Sequence, residues 1–154
     1  MTTIAASLSR RMMAADARSV VSDSATGTAV AFGTTKLVRL RDWIVGAAGT
    51  VDDIDRFVHW LRRRGQRPAL GKGDDFEALL LSRRELLYVL NGGEPQPVRD
   101  GYAAIGSGGA LALGSLVTQV MLGEDPDPRL AVMAACHHDP GSREPVDFLT
   151  WRVD

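Results

Sequence analysis

The sequence predicts an α+β fold of two antiparallel sheets packed together, with helices outside. Three observations predict it. Short β-prone runs separated by turn residues occupy the first third and the middle of the chain. Helical segments with recognisable ends follow residues 50, 109 and 128, the first marked by helical periodicity. The resulting order is strands, helix, strands, two helices, strand, which suits antiparallel sheets with helices on their faces. At 154 residues the chain is one domain with room for a real core. Its 45% hydrophobic and 24% charged residues are those of an ordinary globular protein. A net charge of -1 provides no global field for nucleic acid or an anionic membrane. The lone cysteine, Cys136, has no internal disulfide partner and suits a reducing compartment. No apolar run spans a bilayer and no signal-peptide pattern stands at the N-terminus, so the expected compartment is the cytoplasm.

Thr2 to Ser7 reads as a strand and Arg11 to Ala15 as its partner, with Ser7 to Arg10 turning between them. Asp16 ends the second strand, and the polar segment Ser22 to Gly27 reads as a loop. Thr28 to Phe32 is a β-prone run broken by Gly33, and Lys36 to Leu40 largely alternates polar and apolar, as a half-buried strand does. Trp43 to Gly49, apolar and small, reads as a buried strand entering a tight loop. Thr50 caps a helix with Asp52 and Asp53 in its first turn. Ile54, Phe57, Val58 and Leu61 form its apolar stripe, and Arg62 to Arg64 then Gly65 stop it. The three arginines read as a solvated helix end rather than a nucleic-acid patch. Gln66 to Asp75 is a loop; Phe76 to Leu81 and Glu85 to Leu90 are two strands, and Asn91 to Gly93 a turn. Tyr102 to Ile105 is a strand entering Gly106-Ser107-Gly108-Gly109. Helices follow over Ala110 to Leu122 and Arg129 to His137, and a last strand over Val146 to Val153.

Two stretches carry chemical meaning. If Met1 is removed, the chain begins with Thr2, whose hydroxyl and free amine are a nucleophile and a general base in one residue. The strand, Gly106-Ser107-Gly108-Gly109, helix sequence admits a dinucleotide site, but residue 111 is Leu111 rather than glycine. The next acids, Glu124 and Asp125, stand in a proline-rich turn instead of ending a following strand. The plainer alternative is a tight, closely packed turn. His137 and His138 admit metal binding or simple exposure at a helix end, His59 reads as a helix-surface residue, and Cys136 has no case as a nucleophile.

Taken in order, Thr2-Thr3-Ile4, Ala15-Asp16-Ala17-Arg18, Lys36 to Leu40, Ile44 to Gly49, Ala104 to Gly109, and Ala131 to Ala135 leading to Asp139-Pro140-Gly141-Ser142 resemble the proteasome β-subunit/HslV peptidase family. The resemblance covers nearly the whole chain. It implies a single N-terminal-nucleophile (Ntn) hydrolase domain over residues 1–154, a four-layer αββα sandwich of two antiparallel sheets, and threonine-type endopeptidase activity without a metal or cofactor. Residue by residue, it implies Thr2 as nucleophile with its α-amine as base, Lys36 as the positive charge beside the hydroxyl, and Asp16 as the holder of Lys36. It implies an oxyanion-stabilising N–H at Gly46, and Ser107, Asp139 and Ser142 around the terminal amine. Ile44 would floor a pocket favouring apolar side chains, with Ala48 also binding substrate. Read without the family, Lys36 and Asp16 are an ordinary salt bridge and Ser142 caps a turn.

For partners, the resemblance implies homo-oligomeric stacked rings, a peptide or unfolded-protein substrate and an AAA+ unfoldase, with no nucleic acid or membrane. The chain departs from the family in three places. The first hairpin is short, Arg143 follows Ser142 where glycine is usual, and the region between the Thr50–Arg64 helix and the Phe76 strand is too short for a second long helix. A shortened helical layer is therefore expected. A self-assembling scaffold on the same fold, catalytically inactive or unprocessed, is the alternative.

Overall fold

The first strand, β1 (Thr3–Ser7), is buried at all five positions. A strand covered on both faces must lie inside a layered structure, and here it is central in a four-stranded antiparallel sheet. Its neighbours are β2 (Met12–Asp16) and β10 (Tyr102–Gly106), and β11 (Val146–Thr150) lies outside β2. The second sheet runs β5 (Leu37–Arg39), β6 (Ile44–Ala48), β7 (Glu77–Leu81), β8 (Leu86–Leu90), β9 (Gln96–Pro97), again antiparallel throughout. A separate hairpin pairs β3 (Arg18–Asp23) with β4 (Thr28–Gly33). This computed structural model describes residues 2–23, 28–33, 36–71, 75–140 and 142–152, with the backbone alone for 18–23 and 28–33.

Strand alternation sorts the side chains into layers. Ile4, Ala6, Met13, Ala15, Ile44, Leu79 and Leu81 meet between the two sheets. Ala5 and Ala14 face the other way, onto Ala112, Leu116, Ala131 and Val132 of helices α2 (Gly109–Met121) and α3 (Pro128–His138). Alanine on the sheet side lets both helices approach closely. On the far face, helix α1 (Val51–Arg63) inserts Phe57 among Val45, Ala47, Phe76 and Ala78; the Phe57 and Phe76 rings stand 5.1 Å apart, edge to face. The result is the αββα sandwich. Two helices cover the first sheet and, among the described residues, α1 alone covers the second, so the expected shortening of the helical layer is real.

Thr50 caps α1 as predicted, its hydroxyl accepting from the Asp53 N–H at 3.2 Å. The helix closes one residue earlier than its glycine suggested: Arg64 itself takes a left-handed φ of 49° and donates to the Trp60 carbonyl. Three expectations change. Ser22 and Asp23 end strand β3, paired with Ala29 and Thr28, instead of opening a loop; residues 24–27 lie outside the described residues. The last strand stops at Thr150, because Trp151 turns its indole N–H to the Leu81 carbonyl of the opposite sheet at 2.9 Å. The two-residue β9 was not foreseen: its Pro97 is tolerated at a sheet edge, where no ladder donor is required. No helix among the described residues is long and apolar enough to cross a membrane.

Candidate active site

The glycines of the Gly106-Ser107-Gly108-Gly109 turn explain how the site is built. Gly106 ends β10 at φ +90°, and a Cβ there would lie 1.9 Å from the Thr2 carbonyl oxygen. A Cβ on Gly108 would lie 2.0 Å from Thr3 Oγ1. The loop is therefore packed against the first residues of the chain itself. The glycines are thus explained by close packing of a tight turn, the plainer alternative of the sequence.

Two polar clusters meet at this point. In the first, the Thr2 backbone nitrogen donates to Ser107 Oγ at 3.2 Å. Asp139 Oδ2 accepts from Ser107 Oγ at 2.9 Å and from Ser142 Oγ at 2.6 Å. Ser142 Oγ lies 2.5 Å from Thr3 Oγ1. A carboxylate only accepts, so each serine hydroxyl spends its single proton on Asp139. Ser107 thereby faces Thr2 as an acceptor, and Thr3 donates to Ser142. In the second cluster, Asp16 has no exposed surface and accepts from the Thr3 N–H at 2.8 Å. Lys36 Nζ donates to both Asp16 oxygens at 2.9 Å, its own side chain only 8% exposed. Lys36 is thus tied to the N-terminal strand through Asp16 and the backbone of Thr3.

Thr2 opens into a cleft of about 580 Å³ between the ends of the two sheets, whose walls include Ser107, Ala48, Thr50, Asp75 and Glu77. Of the β6 residues, Ala48 reaches this cleft. Gly46 is buried in the sheet, and a Cβ there would strike Ile4 and Met13 at 2.7 Å. Ile44 has no exposed surface and packs in the core between the sheets, on the same face of β6 as Ala48 but further from the edge where the cleft opens. It lines no part of the described cleft.

Sequence reasoning assigned no role to Thr3, which joins both clusters, or to Glu77. Glu77 Oε1 accepts from the Tyr88 hydroxyl at 2.9 Å and Oε2 from the Gly106 N–H at 3.2 Å. Burial first, then the Glu77 hydrogen bond, pushes the Tyr88 phenol up to about 12. The signal for Glu77 was a charge at the mouth of the otherwise apolar Phe76 to Leu81 run. Cys136 is half-buried and its thiol is raised to about 11, chiefly by burial and then by the nearby Asp16 carboxylate, so the thiolate is scarce at neutral pH. His59, His137 and His138 are exposed, and no three His, Cys, Asp or Glu among the described residues are grouped to hold a metal ion.

No protein-family model matches the chain, and no curated protein sequence matches it. Solved structures do. Thiobacillus denitrificans BPH in complex with epoxomicin matches at a TM-score of 0.70 and 18% identity, covering 99% of each chain. A second structure of Thiobacillus denitrificans BPH gives 0.68 and 17%, over 100% of this chain and 99% of that one. Eukaryotic HslV from Trypanosoma brucei gives 0.69 and 24%, over 96% and 97%. The fold is that of the HslV/proteasome-type peptidases, the Ntn-hydrolase sandwich. Within that class, the solved structures it resembles over almost its whole length include a BPH and an HslV.

Proposed function

We propose that the chain is a threonine-type endopeptidase in which Thr2, exposed by removal of Met1, attacks the peptide carbonyl. The observation that carries this reading is the placement of the Thr2 nitrogen, held by Ser107 in a chain of hydrogen bonds through Asp139 to Ser142, while the buried Lys36–Asp16 pair holds the N–H of the adjacent Thr3. A turn cap or a simple salt bridge explains either cluster alone but gives no reason for both to converge on the chain's first residues.

The chemistry follows from that placement. The free α-amine takes the Thr2 hydroxyl proton, and Oγ bonds to the scissile carbonyl carbon. Lys36 contributes a positive charge that favours the alkoxide, and the Gly46 N–H stabilises the oxyanion. The protonated amine returns its proton to the leaving nitrogen as the C–N bond breaks, giving a threonyl ester and the first product. Water, deprotonated by the same amine, then hydrolyses the ester. With Met1 attached the nitrogen is a peptide N–H with no basicity, so the unprocessed chain is inactive.

The fold likeness and the unshielded cleft support homo-oligomeric rings that enclose the site, a cytoplasmic setting and delivery of unfolded protein by an AAA+ partner. The single helix over the second sheet among the described residues favours a second reading, a self-assembling scaffold without catalysis. An epoxyketone probe distinguishes them, because its double adduct requires both the hydroxyl and the free amine of a terminal threonine. After treatment with methionine aminopeptidase, intact mass should show loss of Met1 and an adduct on Thr2. Peptide turnover should rise with pH through the ordinary α-amino value of about 8. Full activity from material carrying Met1 throughout would refute the mechanism.

A further inference from the structure

The cleft beside Thr2 has a charge that the peptidase reading does not use. Among the described residues that line it, the ionisable side chains are two acids, Asp75 and Glu77, with no lysine or arginine. Glu77 lies on β7 directly across from Ala48, so its carboxylate stands on the same side of the cleft floor that the β6 strand forms. It is half-buried and held at both oxygens by neutral donors, the Tyr88 hydroxyl and the Gly106 N–H. These bonds prevent the side chain from swinging into solvent, yet each oxygen keeps a further lone pair. No ion pair engages Glu77 or Asp75 among the described residues. Among the described residues the apolar lining of the cleft is Ala48 and Leu90, and Ile44, enclosed in the core, does not reach it.

We infer that the cleft selects a lysine or arginine side chain on the acyl side of the bond that Thr2 attacks, with Glu77 as the specificity-determining residue and Asp75 as its outer, more solvated support. This rests on the peptidase reading. A fixed carboxylate in a partly desolvated wall gains most from a cation, which neutralises it and takes its remaining lone pairs. A leucine side chain leaves that charge covered and unpaired, and an acidic one is repelled.

The test uses Met1-free protein and three fluorogenic peptides that differ only in arginine, leucine or glutamate before the scissile bond. Arginine should exceed leucine in kcat/KM by about tenfold or more, glutamate should be poorest, and the arginine advantage should shrink with added salt. Glu77→Gln retains the shape: its amide oxygen accepts from Gly106 and its NH2 can donate to Tyr88. The readout is the arginine-to-leucine ratio rather than the absolute rate, and it should fall about tenfold in Glu77→Gln and less in Asp75→Asn. A leucine preference in the unmutated protein, or an unchanged ratio in Glu77→Gln, overturns the inference. An epoxyketone adduct on Thr2 separates the two levels. An adduct without arginine preference removes this inference and leaves the peptidase standing, whereas no adduct and no hydrolysis of any peptide removes both.

Discussion

Replacing Lys36 by methionine isolates the buried ion pair. Asp16 has no exposed surface and accepts three hydrogen bonds, two from Lys36 and one from the Thr3 N–H. Methionine keeps most of the Lys36 stem and removes the ammonium, so Asp16 is left buried, charged and with a single donor. Breaking a buried pair in this way costs about 3–5 kcal/mol. For a chain of this size each kcal/mol moves the melting temperature by roughly 2–4 °C, so Lys36→Met should melt on the order of 10 °C lower. Adding Asp16→Asn removes the stranded charge while the amide oxygen still accepts from Thr3. The double variant should therefore be more stable than Lys36→Met alone, with a coupling of about 2–3 kcal/mol in a thermal or urea double-mutant cycle. Strictly additive losses, or a Lys36→Met loss below about 1 kcal/mol, would show that the pair is solvated and that the burial argument is wrong. The double variant also separates stability from chemistry. Folded but lacking the charge beside Thr2, it should form the epoxyketone adduct hundreds-fold more slowly, on the order of losing a transition-state charge partner.

Gly106→Ala should shift Thr2 or fail to fold well, because the new Cβ would sit 1.9 Å from the Thr2 carbonyl oxygen at φ +90°. Slow Thr2 labelling with a lowered melting temperature is expected, and unchanged labelling would contradict the close approach. Tyr88 should remain protonated well past its ordinary 10, since its folded value is about 12. The folded state therefore binds that proton more tightly than the unfolded one, and the stabilisation is present below pH 10 and lost as pH rises towards 12. Stability against pH for Tyr88→Phe should lack that alkaline decline, and a profile identical to the parent's would contradict it. Ring assembly should appear as a large particle in light scattering, and a monomer across micromolar concentrations would count against it.

The order of layers was legible because punctuation residues mark it: Thr50 and the Asp52-Asp53 turn open α1, Asn91-Gly92-Gly93 closes a hairpin, and Gly123 to Pro128 separates two helices. The less legible parts depend on pairing across the chain. Ser22 and Asp23 read as loop because they are polar, yet the strand there is defined by backbone bonds to Ala29 and Thr28. Pro97 looks like a breaker until an edge position makes it harmless. At the site, Lys36–Asp16 and Ser107–Asp139–Ser142 were readable as groups. The depth of each β6 residue was not: Ile44 and Ala48 share a face, yet only Ala48 lies at the edge where the described cleft opens. Glu77 was overlooked because a single acid beside an apolar run has no local partner to give it meaning. Its partners, Tyr88 and Gly106, come from another strand of its own sheet and from the opposite sheet.

The central position of β1 ties the site to strands far away in the sequence. Thr3 pairs with Gly106, the Thr2 nitrogen with Ser107, and β2 must still receive β11 from residues 146–150. A nascent chain has its first residues free long before those partners exist. Closing loops of this length is entropically costly and slow relative to local hairpins and helices. A truncated product lacking β10 or β11 can therefore carry Thr2 without any geometry around it, and on the proposed reading such fragments are harmless. Segments far downstream build the surroundings of Thr2.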